Sequence, residues 1–453
     1  MFKKILSLSF GLFLTVLVWA QSILINFEIP LTVLTFILII GFVFWNNRKN
    51  DEQNKTLIWL GLSYILVRAI WFFFSHVILW WLGQILLIIL SIGLLIKGLH
   101  FSNKNIPIQI LKGLFLTFLT VTSLLLTYLT VDSSPVAKLS QSAANTINSF
   151  EPQTDFTVTV SEGNQLLENI QYGTELPNSY LDIILPKGDN INSRPTYLFF
   201  HGGGFVAGDK MQGDPNQVSE YSASLYHFEE MVKAGYNVVT VNYALASQYP
   251  YPTAIKQISD AVAFLEKNAE KYQLNMNEVV IAGSSAGGNL AAEFVTIQAN
   301  PSYAKEINVT PVMDLSQIKA AVLEVPALDP NRVGKTQRTS IIEDYVFGQA
   351  IAAYMRQSVI SPDRELYASR NLIDKVTADF PPVFITDGNL GSFMDQAQDY
   401  AKQLAEKGVT YELYIPDEAT YGDQSHGYLA DIHSEATQTY IKKKISFLEK
   451  LTN

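Results

Sequence analysis

The chain has 453 residues, of which 48% are hydrophobic and only 16% are charged, against a usual charged share of about 25%. A deficit of this size indicates a membrane portion or an unusually apolar core. Cysteine is absent, which excludes a disulfide scaffold, a cysteine nucleophile and a thiolate metal site. The formal net charge of −10 argues against a nucleic-acid partner, because phosphate binding needs a basic surface.

Charge is unevenly distributed along the chain. Residues 1–131 carry nine Lys and Arg against three Asp and Glu, a formal charge of +6, whereas the remainder carries 23 against 39, a charge of −16. Because the first third is basic and apolar and the remainder is acidic and polar, the two parts are expected to form structurally different regions. We expect a transmembrane helical region over 1–131, a small polar juxtamembrane linker over 132–150, and a folded domain over 151–453.

Several apolar runs in the first region are long enough to cross a bilayer, which takes about 17–25 residues. Four such runs are Ile29–Trp45, Leu57–Phe74, Val77–Ile96 and Gly113–Val131. A fifth run, Ile5–Ala20, is either a short spanning helix or a cleaved secretory signal. Arg68 lies inside the run Leu57–Phe74, where a charge either snorkels to the interface or pairs with another helix. We therefore expect four to five transmembrane helices.

The basic residues between the runs predict the orientation, because Lys and Arg in short loops stay cytoplasmic. The basic clusters are Lys3 and Lys4, then Arg48, Lys49 and Lys55, then Lys97, Lys104 and Lys112. All three fall on one side of the membrane if the N-terminus is inside, and the chain after residue 131 is then outside. Cleavage of the first run gives the same result. The predicted location is the cell membrane, multi-pass, with the C-terminal domain extracytoplasmic.

Beyond residue 150, short β-rich runs alternate with helical patterns. The predicted strands are Phe156–Val160, Tyr180–Leu185, Tyr197–Phe200, Val238–Asn242, Val279–Ala282, Ala320–Val325, Val383–Thr386 and Glu412–Ile415. The clearest helical pattern is Ile255–Tyr272, with its apolar residues on one stripe. This alternation predicts an α/β fold with a mostly parallel central sheet covered by helices. Residues 329–380 interrupt it, and we expect an insertion there that caps the site.

The first motif is Gly283-Ser284-Ser285-Ala286-Gly287, between the predicted strand Val279–Ala282 and the helical run Asn289–Gln298. It matches G-x-S-x-G, a tight strand-to-helix turn that presents a serine. The helix N-terminus favours developing negative charge beside that serine. An ordinary helix N-cap would fit the same five residues, so the functional interpretation depends on the position of the motif between a strand and a helix. It makes Ser285 the candidate nucleophile.

The second motif is His201-Gly202-Gly203-Gly204-Phe205, directly after the strand Tyr197–Phe200. Consecutive glycines let bare backbone amides face a ligand, and an acyl-transfer enzyme needs such donors where its oxyanion forms. The alternative is a flexible turn. The motif predicts an oxyanion hole made by the amides of Gly203, Gly204 and Ala286.

The third motif is His426-Gly427, after the last predicted strand. A serine hydroxyl needs a base to take its proton, and the ordinary pKa of histidine, near 6.5, suits that task. A lone histidine before glycine is usually only a loop residue. The order serine, acid, histidine, each after a strand, is however that of hydrolases with this elbow, which makes His426 the candidate base.

These motifs together resemble the bacterial hormone-sensitive-lipase-like branch of the α/β-hydrolase family. Further matching segments are Asn242-Tyr243-Ala244-Leu245-Ala246, Tyr249-Pro250-Tyr251-Pro252, the run 283–292, Pro381-Pro382-Val383-Phe384-Ile385-Thr386 and His426-Gly427-Tyr428. The resemblance covers most of residues 150–453 and none of residues 1–131. It implies an α/β-hydrolase fold and an esterase that forms an acyl-serine intermediate, with a cap over the acyl pocket. It implies no metal or organic cofactor.

The chain departs from that family at the catalytic acid. The run Gly388-Asn389-Leu390-Gly391-Ser392-Phe393 has Gly391 where the family carries aspartate. Asp395, one helical turn later, could reach back toward the loop. Asp387 at the strand end is the alternative, Asp329 and Asp423 are further candidates, and the absence of a conventional acid is also compatible with the sequence. Loss of the acid alone leaves measurable catalysis.

The leading hypothesis is a membrane-anchored serine carboxylesterase that acts on small esters, including acylated glycans or lipids of the envelope. Ser285 is its nucleophile, His426 its base and Asp395 its expected acid. Gly391 motivates an alternative, a catalytically weak or inactive hydrolase-like binding module on a membrane anchor. A third hypothesis gives the main function to the membrane region, as a carrier of an acyl donor or lipid.

Overall fold

The computed structural model describes residues 2–24, 28–47, 52–74, 77–99, 106–152, 160–188, 191–211, 223–336 and 341–452. The predicted strand Phe156–Val160 lies almost wholly outside these residues. The chain divides into two compact units, one of residues 1–135 and 357–362, and the other of residues 136–356 and 363–453. The domain boundaries proposed from the sequence, at 131 and 150, remain predictions.

Among its described residues, the first unit consists mainly of five apolar helices. They are α1 Phe2–Ile23, α2 Glu28–Asn47, α3 Glu52–Phe74, α4 Val77–Leu99 and α5 Ile106–Val131. Within the residues that the structure describes, four segments are long and apolar enough to cross a membrane: Lys4–Ile23, Lys55–Phe74, Val77–Leu99 and Ile106–Val131. The apolar part of α2, Glu28–Val43, is shorter. The predicted helical character of all five runs is confirmed.

Two glycines allow α1 and α4 to approach closely. A Cβ atom on Gly98 would lie 2.6 Å from the backbone nitrogen of Leu8, and one on Gly11 would lie 2.9 Å from the side chain of Leu95. Small residues at such crossings let apolar helices make close van der Waals contact without polar groups. The run Ile5–Ala20 is therefore packed into the unit as a helix.

Arg68 pairs with an acid on another helix and does not snorkel. Its side chain is fully buried, and a guanidinium nitrogen lies 3.1 Å from Glu28 Oε1. A second guanidinium nitrogen donates to Gln21 Oε1 at 3.2 Å, and Trp80 Nε1 donates to Glu28 at 3.0 Å. Helices α1 to α4 thus share one buried polar network. A buried charge needs such partners, because its desolvation is costly.

In the described part of the second unit, one sheet of eight strands forms the centre. They are β1 Asn164–Gln171, β2 Tyr180–Pro186, β3 Pro195–Phe200, β4 Asn237–Val241, β5 Asn275–Ser284, β6 Ile318–Glu324, β7 Val383–Thr386 and β8 Tyr411–Tyr414. Their order is β1-β2-β4-β3-β5-β6-β7-β8. Strand β2 runs antiparallel to β1 and β4, and the pairs from β4 through β8 are parallel. The predicted mostly parallel sheet is confirmed.

Helices cover both faces of this sheet. The described helices that follow α5 in the chain are α6 Ser134–Ala143, α7 Ala223–Lys233, α8 Thr253–Asn268, α9 Ala286–Ala299, α10 Pro301–Ile307, α11 Ile341–Met355, α12 Arg364–Ser369, α13 Met394–Glu406, α14 Glu418–Tyr421 and α15 Glu435–Thr452. Successive strand residues point to opposite faces. Leu198 therefore packs in the core beneath α8 and α9, whereas Tyr197 packs in the core beneath α7 and α15.

Helices α11 and α12 lie between β6 and β7, inside the region predicted as a cap insertion. Parallel strands bring their carboxyl ends to one edge of a sheet, where sites in such folds form. The ends of β3, β5, β7 and β8, which carry the three motifs and the acid run, meet at this edge.

Candidate active site

Ser285 lies at the tight turn between β5 and α9. Its backbone has φ 54° and ψ −114°, a left-handed conformation that is rare for a residue with a side chain. Its N–H donates to the carbonyl of Glu324 at 2.8 Å. The flanking glycines are required by crowding: a Cβ on Gly283 would lie 2.1 Å from the carbonyl oxygen of Gly287, and one on Gly287 would lie 1.9 Å from that of Phe200. The turn therefore has the shape that the G-x-S-x-G spacing predicts.

His426 reaches this serine from the loop after β8. Its Nε2 lies 2.8 Å from Ser285 Oγ. The rings of Phe347 and Phe393 lie edge-on to the imidazole, each with centroids 5.0 Å apart. Burial lowers the pKa of His426 to about 4. The imidazole is consequently neutral at neutral pH and can accept the serine proton.

The glycine loop after β3 packs against the serine turn. A Cβ on Gly202 would lie 3.1 Å from the carbonyl oxygen of Ser284, so the loop contacts the turn directly. Gly203 has φ +104° and Gly204 has φ +62°. In the part of the chain that the structure describes, neither amide donates to a backbone carbonyl.

The third amide of the predicted hole belongs to Ala286. This residue opens α9, and the first four N–H groups of a helix have no partner within it. The structure thus brings the glycine loop, Ser285 and the start of α9 together at one edge of the sheet.

The structure does not bring Asp395 to His426. The Asp395 carboxylate is engaged by Arg332, which also binds Asp399 at 2.7 Å. Among the described residues, the imidazole nitrogens hydrogen-bond only to Ser285 and Ser392, whose Oγ lies 2.8 Å from Nδ1. The hydrogen-bond partner of His426 Nδ1 is therefore Ser392 and not Asp395. The Asp395 carboxylate is held in a salt bridge by Arg332.

Asp387, the alternative acid, is fully buried at the end of β7. Its Oδ1 accepts the N–H of Gly388 at 2.7 Å. Burial raises the pKa of this carboxyl to about 8, although the Ser392 hydroxyl and the amides of Gly388 and Phe393 act in the opposite direction. Ser392 thus contacts His426 directly and lowers the pKa of Asp387. Ser392 was not among the residues predicted from the sequence, where the available signal was its position next to Gly391 in the acid run.

A cavity of about 560 Å³ opens beside Ser285 and His426. Its apolar lining includes Phe205, Val206, Val333, Phe347, Ile351 and Phe393. Helix α11 covers the glycine loop: the Phe205 and Tyr354 rings stack with centroids 3.7 Å apart, and a Cβ on Gly204 would lie 3.0 Å from that of Ala350. Across the described ranges, no cluster of three or more His, Asp or Glu side chains is placed to hold a metal ion.

Comparison with known proteins agrees with the observed fold. A family model described as an alpha/beta hydrolase fold matches residues 197–429. Esterase LipI of Mycobacterium tuberculosis is 25% identical over 249 residues, 54% of this chain and 70% of the esterase. Ethyl acetate hydrolase of Pseudomonas putida is 25% identical over 236 residues, 51% of this chain and 66% of the hydrolase.

Solved structures agree in fold. Esterase B from Lactobacillus rhamnosis superposes with a TM-score of 0.52 at 19% identity, over 65% of this chain and 89% of that chain. The predicted α/β-hydrolase fold is therefore confirmed, and esterases are among the relatives of this chain.

Proposed function

Because the chain belongs to the α/β-hydrolase family, we propose that it is a membrane-anchored serine carboxylesterase of the hormone-sensitive-lipase-like branch. The observation that carries the proposal is the 2.8 Å contact between His426 Nε2 and Ser285 Oγ, beneath a glycine loop with free amides. A neutral imidazole at this distance is a general base for the serine hydroxyl. The esterases among its relatives support the reaction class.

The reaction proceeds through an acyl-serine. Ser285 Oγ attacks the ester carbonyl carbon while its proton passes to His426 Nε2, and the carbonyl oxygen becomes an oxyanion. The amides of Gly203, Gly204 and Ala286 stabilise that charge. The C–O bond to the alcohol then breaks, and the alcohol leaves with the proton from His426. Water, deprotonated by His426, hydrolyses the acyl-serine and regenerates the enzyme.

Small esters suit the cavity. A volume of about 560 Å³ with mostly apolar walls accommodates a short acyl chain, and such sites take up apolar groups readily. A relative named ethyl acetate hydrolase supports the same size range. The proposed extracytoplasmic location makes acylated envelope glycans or lipids natural substrates.

Features of the first unit support the proposed membrane anchoring and orientation. Four helices have the required length and apolarity, and the basic loops predict an inside N-terminus. The packing of α1, including a hydrogen bond from Trp19 Nε1 to Ser123 Oγ at 2.9 Å, supports a retained spanning helix over a cleaved signal.

The nucleophile can be tested on the full chain in detergent. We expect a fluorophosphonate probe to label wild type and not Ser285→Ala, and p-nitrophenyl butyrate hydrolysis to depend on Ser285. Equal labelling, or equal rates above the uncatalysed background, would reject the esterase and favour the binding module.

Orientation can be tested because the chain has no cysteine. A single cysteine replacing the exposed Glu418 should react with an impermeant maleimide on intact cells. A cysteine replacing Lys49 should react only after lysis. The reverse pattern would place the hydrolase domain in the cytoplasm.

A further inference from the structure

The group that faces His426 Nδ1 is a hydroxyl. This contact bears on which ring nitrogen of His426 carries the proton. Ser392 Oγ lies 2.8 Å from Nδ1, and the residue is 4% exposed. If Nε2 accepts the Ser285 proton, a neutral imidazole must carry its own proton on Nδ1. Nδ1 then donates to Ser392 Oγ. A hydroxyl both accepts and donates, so the hydrogen of Ser392 needs an acceptor of its own.

Asp387 provides that acceptor. Its carboxyl is fully buried, and among the described residues its Oδ2 has no hydrogen-bond partner. A buried oxygen left in this state is costly. Ser392 lies five positions after Asp387 in the chain, and its hydroxyl lowers the pKa of this carboxyl against the effect of burial. A carboxyl group keeps an accepting oxygen whether it is ionised or neutral, so the link does not depend on its charge.

The two loops that carry these residues are fixed to each other. Leu390 N–H donates to the carbonyl of Gln424 at 3.0 Å, and Gln424 N–H donates to Asn389 Oδ1 at 2.9 Å. A Cβ on Gly388 would lie 2.5 Å from the carbonyl oxygens of Gln424 and Ser425. The acid-run loop and the histidine loop are thus in direct backbone contact, which holds Ser392 against His426.

We propose that Ser392 is a positioning residue that links His426 to Asp387, so that a hydroxyl backed by a buried carboxyl replaces the usual acid. The inference rests on the proposed esterase function. Ser285 Oγ–H donates to His426 Nε2, His426 Nδ1–H donates to Ser392 Oγ, and Ser392 Oγ–H donates to Asp387. During attack the serine proton moves to Nε2, while the Nδ1 and Ser392 protons stay in place and orient the ring.

The kinetic test compares Ser392→Ala with Ser392→Thr in the full chain. Loss of a directly bound acid in a serine triad costs about 10⁴-fold in kcat, and a neutral hydroxyl should be worth less. We expect kcat to fall about 10²-fold in Ser392→Ala, with KM unchanged because Ser392 does not contact substrate. Threonine keeps the hydroxyl and should restore most of the rate. A Ser392→Ala enzyme with wild-type kcat would overturn the proposal.

A second readout does not depend on turnover. In protein labelled with ¹⁵N-histidine, NMR reports which ring nitrogen carries the proton, and His426→Gln identifies the signal. We expect the Nδ1–H form of His426 in wild type and in Ser392→Thr, and its loss in Ser392→Ala. An unchanged tautomer in Ser392→Ala would refute the positioning role. If Ser285→Ala hydrolyses esters as fast as wild type while the tautomer still changes, the esterase proposal fails and the positioning role stands.

Discussion

The acid limb of the pH–rate profile reports the pKa of His426 in the folded protein. Only the neutral imidazole accepts the Ser285 proton, so kcat/KM falls with the protonated fraction of His426. An imidazole with the ordinary pKa near 6.5 would be about 9% neutral at pH 5.5. Burial lowers the pKa of His426 to about 4, and with that value roughly 97% is neutral at the same pH. The Asp387 carboxyl, with its pKa raised to about 8, is protonated there and adds no charge to reverse the shift.

We therefore expect most of the kcat/KM measured at pH 7.5 to remain at pH 5.5, with the midpoint near pH 4. The assay measures initial rates of acetate ester hydrolysis by the full chain, with the Ser285→Ala rate subtracted. Samples returned to neutral pH and assayed again separate titration from denaturation. A midpoint near pH 6.5 would refute the reasoning, because it would mean that His426 behaves as a solvated imidazole.

A matched variant should shift the midpoint of the acid limb to higher pH. Ser392→Asp places a carboxylate beside His426 Nδ1, and an opposite charge at this distance raises the pKa of a histidine by about 1–3 units. The midpoint should move toward neutral pH. An unmoved midpoint would show that residue 392 does not face the ring.

The remaining predictions concern other parts of the chain. Asp395→Asn should keep kcat within about 3-fold of the wild-type value, because the carboxylate pairs with Arg332 in a partly exposed salt bridge that contributes little energy. A loss of several hundredfold would show that Asp395 is the catalytic acid. Gly203→Ala should lower kcat by about 10²–10³-fold, the cost of removing an oxyanion donor, because a Cβ there would lie 2.1 Å from the carbonyl oxygen of Ala207; unchanged kcat would exclude this loop from the oxyanion site. Glu28→Gln should destabilise the helical unit by about 3–5 kcal/mol, since it leaves Arg68 buried without its counter-charge; thermal unfolding in detergent measures this, and an unchanged midpoint would contradict the network.

Backbone crowding explains why the serine turn and the glycine loop could be predicted. Gly283 and Gly287 occupy positions where any Cβ would collide with a backbone oxygen. The spacing of these glycines in the sequence therefore indicates the shape of the turn. The interior strands were predictable for a related reason: they are buried on both faces and consist of apolar runs. Strand β7 was predicted with its observed bounds, Val383–Thr386.

Features that depend on long-range contacts could not be predicted from the sequence. Strand β1, Asn164–Gln171, was missed because this edge strand is polar and half-exposed, without a buried run. Asp395 has the right spacing for an acid, but Arg332, 63 positions away in the chain, draws it away from His426. Ser392 carries no charge and follows a glycine, so nothing local distinguishes it from a loop residue. Such a role is visible only when the two loops are seen together.

The contact between Gly204 and Ala350 limits which helices can cover this site. Glycine and alanine are the two smallest residues, and a Cβ atom added to Gly204 would lie only 3.0 Å from the Cβ of Ala350, closer than an ordinary van der Waals contact. Enlarging either side chain would push the covering helix away from the amides that bind the reacting oxygen. We therefore expect a cap taken from another hydrolase to fit only if it brings an equally small residue to this position.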